Sequence, residues 1–253
     1  MKTSSKLLIG ALTFGWLFGA SIMLAIRANI DEGSVAMSVG NNVISSQEFV
    51  VDTFQNVKRI RVQGPYNIKL SNAESLGIKM EADETLLDNL SFFMEDDILK
   101  IDRKTDVDSF NVLNLHIAAP PELQLALVGW GNISSKEGFQ TNWLALDGDG
   151  EVNVSLQSEA LYLNVRGRKV VTLEGDVKLL NLNGRGEQHL YASGLAVGEA
   201  VVMQTKNFHS TLHVSDRLII ADNDNSTIEF LGAPEVMEPL YRKGTITHMD
   251  KQE

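Results

Sequence analysis

The residues best suited to chemistry are two acidic runs, Asp147-Gly148-Asp149-Gly150-Glu151 and Asp222-Asn223-Asp224-Asn225. Their carboxylates recur at alternating positions, as oxygen ligands for a hard cation would. Calcium needs roughly six to eight such oxygens, and an EF-hand loop supplies them with a glycine at its sixth position and a bidentate glutamate at its twelfth. Neither run has that spacing, and the nonapeptide calcium repeat of β-rolls is absent. Asp147, Asp149, Glu151, Asp222 and Asp224 are therefore metal candidates by residue type only. Their Gly and Asn neighbours read as turn chemistry, so no metal and no cofactor is expected.

Other reactive groups give equally little. His189, His209 and His213 fall on neighbouring strands, but no acidic partner pattern that would orient three zinc-bound imidazoles accompanies them. Arg166, Arg168 and Lys169 cluster near Glu151 in the sequence. That is where a base for cleaving acidic polysaccharide would be sought, although a solvated turn has the same composition. The chain has no cysteine, which removes thiolate catalysis, disulfides and Cys-ligated metals. It also has no Gly-x-Ser-x-Gly elbow. No catalytic residue is assigned, and the expectation is a protein that is not an enzyme.

The acids and glycines belong to a repeat. Gly129-Trp130-Gly131-Asn132, Gly148-Asp149-Gly150-Glu151, Gly167-Arg168-Lys169 and Gly184-Arg185-Gly186-Glu187 open at spacings of 19, 19 and 17 residues. Between them apolar residues alternate with polar ones (Leu144 and Leu146; Val152, Val154 and Leu156; Leu161, Leu163 and Val165). A period near 20 with alternation inside each unit predicts stacked β-coils, since one such unit cannot bury its own apolar face. Glycine suits the corners because it takes positive φ and permits close approach. Later corners use Asn207, Asn223 and Asn225, the type that next best tolerates that geometry. Lys169 stands where a second glycine would complete the third turn.

Ahead of the repeats, Ile60 and Val62, then Tyr66, Ile68 and Leu70 beyond Gly64-Pro65, and then Ile78 and Met80 read as strands. Phe92 to Met94 and Ile98 to Ile101 read as a hairpin across Glu95-Asp96-Asp97. Leu113 to Ile117 reads as a strand stopped by Pro120-Pro121. Residues 84–90 read as one helical turn. The organisation expected is an N-terminal signal-anchor over 1–28, a flexible tether over 29–48, a β domain over 49–232 and a tail or last partial coil over 233–253. The β domain divides into front strands 49–121 and Gly-x-Gly coils 122–232.

Residues 7–26 carry no charge, and Lys2, Lys6 and Arg27 flank them. Twenty residues at ~1.5 Å rise match a bilayer core of about 30 Å. The leading positive charges place the N-terminus in the cytoplasm and the body outside. This favours an uncleaved single-pass anchor in the cytoplasmic membrane, with cleavage near Ser21 and secretion as the alternative. Ala11, Gly15 and Gly19 form a small-residue stripe that would let two such helices associate. The formal net charge is −11, a balance that repels phosphate backbones and argues against nucleic acid as a partner.

The stretch Phe54-x-x-Val57-x-x-Ile60-x-Val62-x-Gly64-Pro65-Tyr66-Asn67-Ile68-x-Leu70, followed by Ile78-x-Met80-Glu81-Ala82-Asp83 and Ile98-Leu99-Lys100-Ile101, resembles the front of the head-GIN domain family. As in that family, a proline pair and Gly-x-Gly coils follow, so the resemblance spans about residues 49–232. It implies an all-β, right-handed parallel β-solenoid of about 19-residue coils in an exported bacterial envelope protein. Members are called autotransporter adhesin heads, with no established activity and no catalytic residues to carry over. The expected function is a membrane-anchored binding, adhesion or scaffold module facing an extracytoplasmic protein or polysaccharide. An envelope polysaccharide-processing enzyme and an envelope sensor or assembly partner are the alternatives.

Overall fold

The computed structural model describes residues 35–39, 42–50, 56–83, 86, 89–103, 112–238 and 243–249. The expected anchor, with Ala11, Gly15 and Gly19, lies outside the described residues. Among the described residues no helix is long and apolar enough to cross a membrane. Helical backbone there is confined to Leu86, whose carbonyl accepts the Asn89 N–H at 3.0 Å. The described residues are otherwise strands and their connections, an all-β arrangement.

The tether expected over 29–48 is corrected by two strands. β1 (Val35–Val39) and β2 (Asn42–Val50) pair antiparallel in the register Val39↔Asn42. The polar, small composition of this stretch hides a strand at the edge of the sheet.

The front continues as β3 (Arg59–Gln63), β4 (Tyr66–Asn72), β5 (Gly77–Asp83), β6 (Leu90–Glu95), β7 (Ile98–Arg103) and β8 (Leu113–Ala119). The expected hairpin is β6 against β7, antiparallel, with Asp96 at φ 56° in its turn. β5 runs antiparallel to both β2 and β8, and β8 lies parallel to β4.

From β9 (Gln124–Val128) and β10 (Gly131–Ser135) onward all pairing is parallel. β11 (Trp143–Arg185), β12 (His189–Thr205) and β13 (His209–Asp224) are long, bent stretches, closed by β14 (Thr227–Leu231), β15 (Glu235–Met237) and β16 (Thr245–His248). The chain beyond 232 thus adds two more paired strands.

Register shows how the repeats bury their apolar faces. Ile60, Leu125 and Leu144 are successive partners in one column, and Leu182, Val202 and Ile220 are successive partners in another. All six are at most 2% exposed. Each such side chain contributes about 1.5–3 kcal/mol by leaving water, and it does so only because the neighbouring repeat supplies the other wall.

The corners refine the sequence repeat. Gly129, Gly148 and Gly167 all take positive φ (118°, 109° and 100°). A Cβ on Gly148 would lie 2.0 Å from the carbonyl oxygen of Gly129, and one on Gly167 would lie 2.2 Å from that of Gly148. The next member of this column is Gly186, at φ 109° and above Gly167, which restores a 19-residue step. Gly184, which set the 17-residue spacing in the sequence, is buried and paired with Gln204.

Candidate functional site

The acidic corner does not assemble a cation cage. Asp149 accepts a hydrogen bond from Arg168 Nη2 at 2.8 Å, and that bond holds its carboxyl below the usual carboxylate range. Glu151 accepts one from Asn153 at 2.9 Å. Asp224 pairs with Lys243 at 3.5 Å, and Asp147 is exposed. Between Asp222 and Asp224, Asn223 turns inward, where its amide donates to Thr245 O at 3.3 Å and Ser226 donates to its oxygen. Among the described residues, no three His, Asp or Glu side chains converge to hold a metal ion.

The basic cluster is dispersed as well. Arg166 lies in the strand row before the corner and Glu151 in the row after it, while Arg168 is engaged by Asp149. Lys169 is 1% exposed. Its Nζ donates to the carbonyls of Asp149 (2.9 Å) and Gly129 (3.2 Å) and faces the buried Tyr66 ring at 5.9 Å. Burial lowers its pKa from the ordinary value of 10.5. Lys169 is therefore an interior residue and not a worn corner. Gly131 and Gly150 precede it in the same column, and a Cβ on Gly131 would lie 1.7 Å from Tyr66 O. The long lysine stem and the tyrosine ring occupy interior space beside these two side-chain-free positions.

Of the histidines, His189 and His209 are register partners with ring centres 5.2 Å apart, and His209 Nε2 lies 3.1 Å from Glu229 Oε2. His213 instead borders a cavity at the opposite corner. The three do not come together.

That opposite corner holds the open concavities. One, of about 510 Å³, is lined by Gln140, Asn142, Gln157, Ser158 and Glu159 among others; the next, of about 620 Å³, by Val177, Val197, Glu199, His213 and Asp216 among others. Asp176 and Lys178 line both, so the two adjoin. The parallel register slips here, between Thr172 and Glu174, between Ala192 and Ala196 and between Val197 and Glu199. Such bulges re-aim side chains out of the regular pleat. Lys178 pairs with Glu159 at 2.7 Å and Arg217 with Glu199 at 2.6 Å. Asp176 and Asp216 belong to no ion pair among the described residues.

Beside the smaller cavity, Tyr162 donates its backbone N–H to Asn142 O at 2.9 Å and leaves its side chain 57% exposed. Nineteen residues earlier in the chain, Trp143 is capped by the Arg59 guanidinium at 4.5 Å, which Gln124 Oε1 holds at 2.6 and 3.0 Å. The sequence carried a signal for this ladder. Gln124, Trp143 and Tyr162 recur at the 19-residue step, one position before the inward leucines Leu125, Leu144 and Leu163.

Comparison with known proteins adds the family. No curated protein matches the chain. Among the solved structures that share the fold are three from Bacteroides and Parabacteroides. An adhesin from Bacteroides fragilis NCTC 9343 has a TM-score of 0.67 at 17% identity, covering 81% of this chain and 97% of that one. One from Parabacteroides merdae ATCC 43184 has 0.59 at 17%, covering 85% and 100%. One from Parabacteroides distasonis ATCC 8503 has 0.57 at 18%, covering 83% and 98%. All three are described as putative adhesins. The family model "Putative auto-transporter adhesin, head GIN domain" matches residues 56–234, and with most of the chain inside that match the protein belongs to this family.

Proposed function

We propose that the chain is a non-catalytic binding module of the bacterial cell envelope, held at the membrane by residues 7–26. In this reading its stacked repeats form a β-solenoid, and its hand is right, because parallel strands of one sheet are connected right-handedly almost without exception. The adhesin descriptions of the family and of its structural neighbours support a role in attachment. One observation carries the reading: the two cavities adjoin through Asp176 and Lys178 and open across successive repeats. Such a surface suits an extended ligand. The candidate acid and base groups point apart, with Lys169 turned inward and Arg168 tied to Asp149.

The test uses cells expressing the full chain. They should adhere to surfaces coated with isolated envelope fragments several-fold better than cells lacking it, and the protein should stay in the membrane fraction after alkaline extraction. Equal adherence with and without the chain would refute the binding role. Release by alkali would refute the anchor.

A further inference from the structure

We propose that the outward face of the strands before the glycine corner is a dimer interface, on which a second copy of the chain packs sheet to sheet. The assembly goes beyond the binding role, and its orientation rests on the anchor proposed above.

An apolar stripe runs along this face. Asn181, Val201, Ile219 and Met237 are successive register partners. Tyr162 precedes Asn181 in the column, because Gly175 sits over Leu156 and Gly186 over Gly167, each nineteen residues apart. Trp143 lies one repeat earlier still, as the bond from Tyr162 N–H to Asn142 O requires. Leu179 and Met203 flank the stripe, two residues along the strands of Asn181 and Val201. Tyr162, Met203 and Met237 are 57%, 47% and 49% exposed, and Leu179, Val201 and Ile219 are part-exposed.

With the inward residues these form unbroken apolar runs, Ala200-Val201-Val202-Met203 and Leu218-Ile219-Ile220. A strand that buries one face alternates, whereas a run apolar at every position is the pattern of a strand covered on both. At the same rungs beyond the corner the outward residues are His189, Tyr191, His209, Thr211, Thr227 and Glu229, and alternation returns.

Shape, area and charge name a second copy as the cover. A flat pleated face packs well on another of its kind, about 10 Å away. The rungs from Trp143 to Met237 extend about 24 Å, and the strand from Leu179 to Arg185 about 20 Å. That is roughly 500 Å² per copy in projection and about 1,000 Å² for two, where specific interfaces begin. The borders carry both signs. Arg217 pairs with Glu199 at 2.6 Å on one side, and Arg185, Asp222 and Asp224 stand on the other. A two-fold axis along the stacking direction lays stripe on stripe and brings one border over the other. Arg217 then approaches Asp222 of the second copy, and Glu199 approaches its Arg185. Asn181, the polar member of the stripe, meets its own counterpart, and an amide both donates and accepts. The same axis sets both N-termini at one end, where two anchors in a single membrane must be. A bilayer suits the face less well, since a chain of net charge −11 is repelled by anionic headgroups.

Sedimentation equilibrium of the full-length protein in neutral detergent tests this assembly. A dimer is expected. Val201→Lys, Ile219→Lys and Ile219→Glu should each weaken association about tenfold or more, because like charges then face each other across the axis. An equal mixture of Ile219→Lys and Ile219→Glu chains should associate again, which misfolded variants would not do. Thr211→Lys, on the opposite face, should change nothing. The chain has no cysteine, so Asn181→Cys supplies a single handle through which a short bismaleimide should link two copies. A monomeric wild type, association unaltered by Val201→Lys and Ile219→Lys, or no recovery in the mixture would each overturn the proposal. Association lost with Gly15→Ile but kept with Ile219→Lys would place the contact in the anchor and overturn it as well. Adherence and alkaline extraction are read separately, so a failed dimer leaves the binding role and the anchor standing.

Discussion

The Nζ of Lys169 lies 5.9 Å from the centre of the Tyr66 ring, although more than one hundred residues separate the two in the chain. Gly131 and Gly150 lie between them in the column and contribute no side chain. The amine is fixed by the carbonyls of Gly129 and Asp149, so the pair joins the front strands to the third corner of the repeat. Lys169→Ala removes the stem and leaves both carbonyls without this donor. A loss of about 2–4 kcal/mol in chemical denaturation of the full chain is expected. Lys169→Met preserves most of the volume and should cost less.

The same pair sets a pH dependence at the alkaline end. Burial lowers the folded pKa of Lys169 below 10.5, so the unfolded chain binds more protons in the interval between the two values. Its contribution is complete above the unfolded pKa and is lost as pH falls through the folded one. Burial moves Tyr66 the other way, above its ordinary 10.0, with the Asp147 charge second. Its contribution is full below 10.0 and declines as pH rises beyond it. Relative to Lys169→Met, the wild type should therefore gain stability as pH is raised toward 10.5. Relative to Tyr66→Phe it should lose stability above pH 10. Denaturation midpoints across this range check both signs, and a Lys169→Met profile parallel to wild type would refute the first.

Lys169 also marks where the sequence stops being legible. Period-2 alternation located the strands because inward residues such as Leu144, Leu146, Val152 and Val154 are apolar at every repeat, and a 19-residue step is visible without coordinates. The inward position two residues past the corner glycine is not apolar. It holds Gly131, Gly150, Lys169 and Gln188 in turn, and only stacking reveals that Lys169 and Gln188, each 1% exposed, face the core. The hairpin of β1 and β2 was hidden for a different reason. Its polar, small composition resembles a linker, and only its pairing with β5 identifies it. The two cavities were invisible because register slips, which depend on how neighbouring repeats seat, create them.

The glycines divide into two classes that substitution by alanine separates. At Gly150, φ is 126° and a Cβ would stand 2.2 Å from Gly131 O, so neither the conformation nor the space admits alanine. Gly150→Ala should lose about 2 kcal/mol or more, through backbone strain and displacement of the adjoining repeat. Gly77 lies in β5 without a positive φ, and its added Cβ would meet only Ala118 Cβ at 3.8 Å. Gly77→Ala should be neutral or stabilise by about 0.4–1 kcal/mol through the unfolded state. Melting temperatures of the two variants should fall on opposite sides of the wild type or nearly so.

Calcium should leave the protein unchanged. Asp149, Glu151 and Asp224 already accept hydrogen bonds or ion pairs from Arg168, Asn153 and Lys243, and an incoming ion would have to break them. Millimolar Ca²⁺ should not shift the melting temperature. A rise reversed by chelator would contradict this.

Gly184 and Phe208 should behave as one unit. An inward residue is expected at 184, in line with Gln204, its register partner on the next repeat. Glycine there leaves room, and the Phe208 ring fills it: a Cβ on Gly184 would lie 2.7 Å from two ring carbons. Phe208 is itself wholly buried, so the ring cannot swing into solvent. Gly184→Ala alone should therefore cost about 1–3 kcal/mol by overpacking. Phe208→Leu alone should cost a similar amount by opening a void. In the double variant the added methyl enters the space the smaller leucine vacates. Its loss should fall short of the sum of the single losses by more than about 0.5 kcal/mol, the usual error of additivity between independent sites. Strict additivity in a denaturation cycle would mean that the ring and the glycine do not share this space.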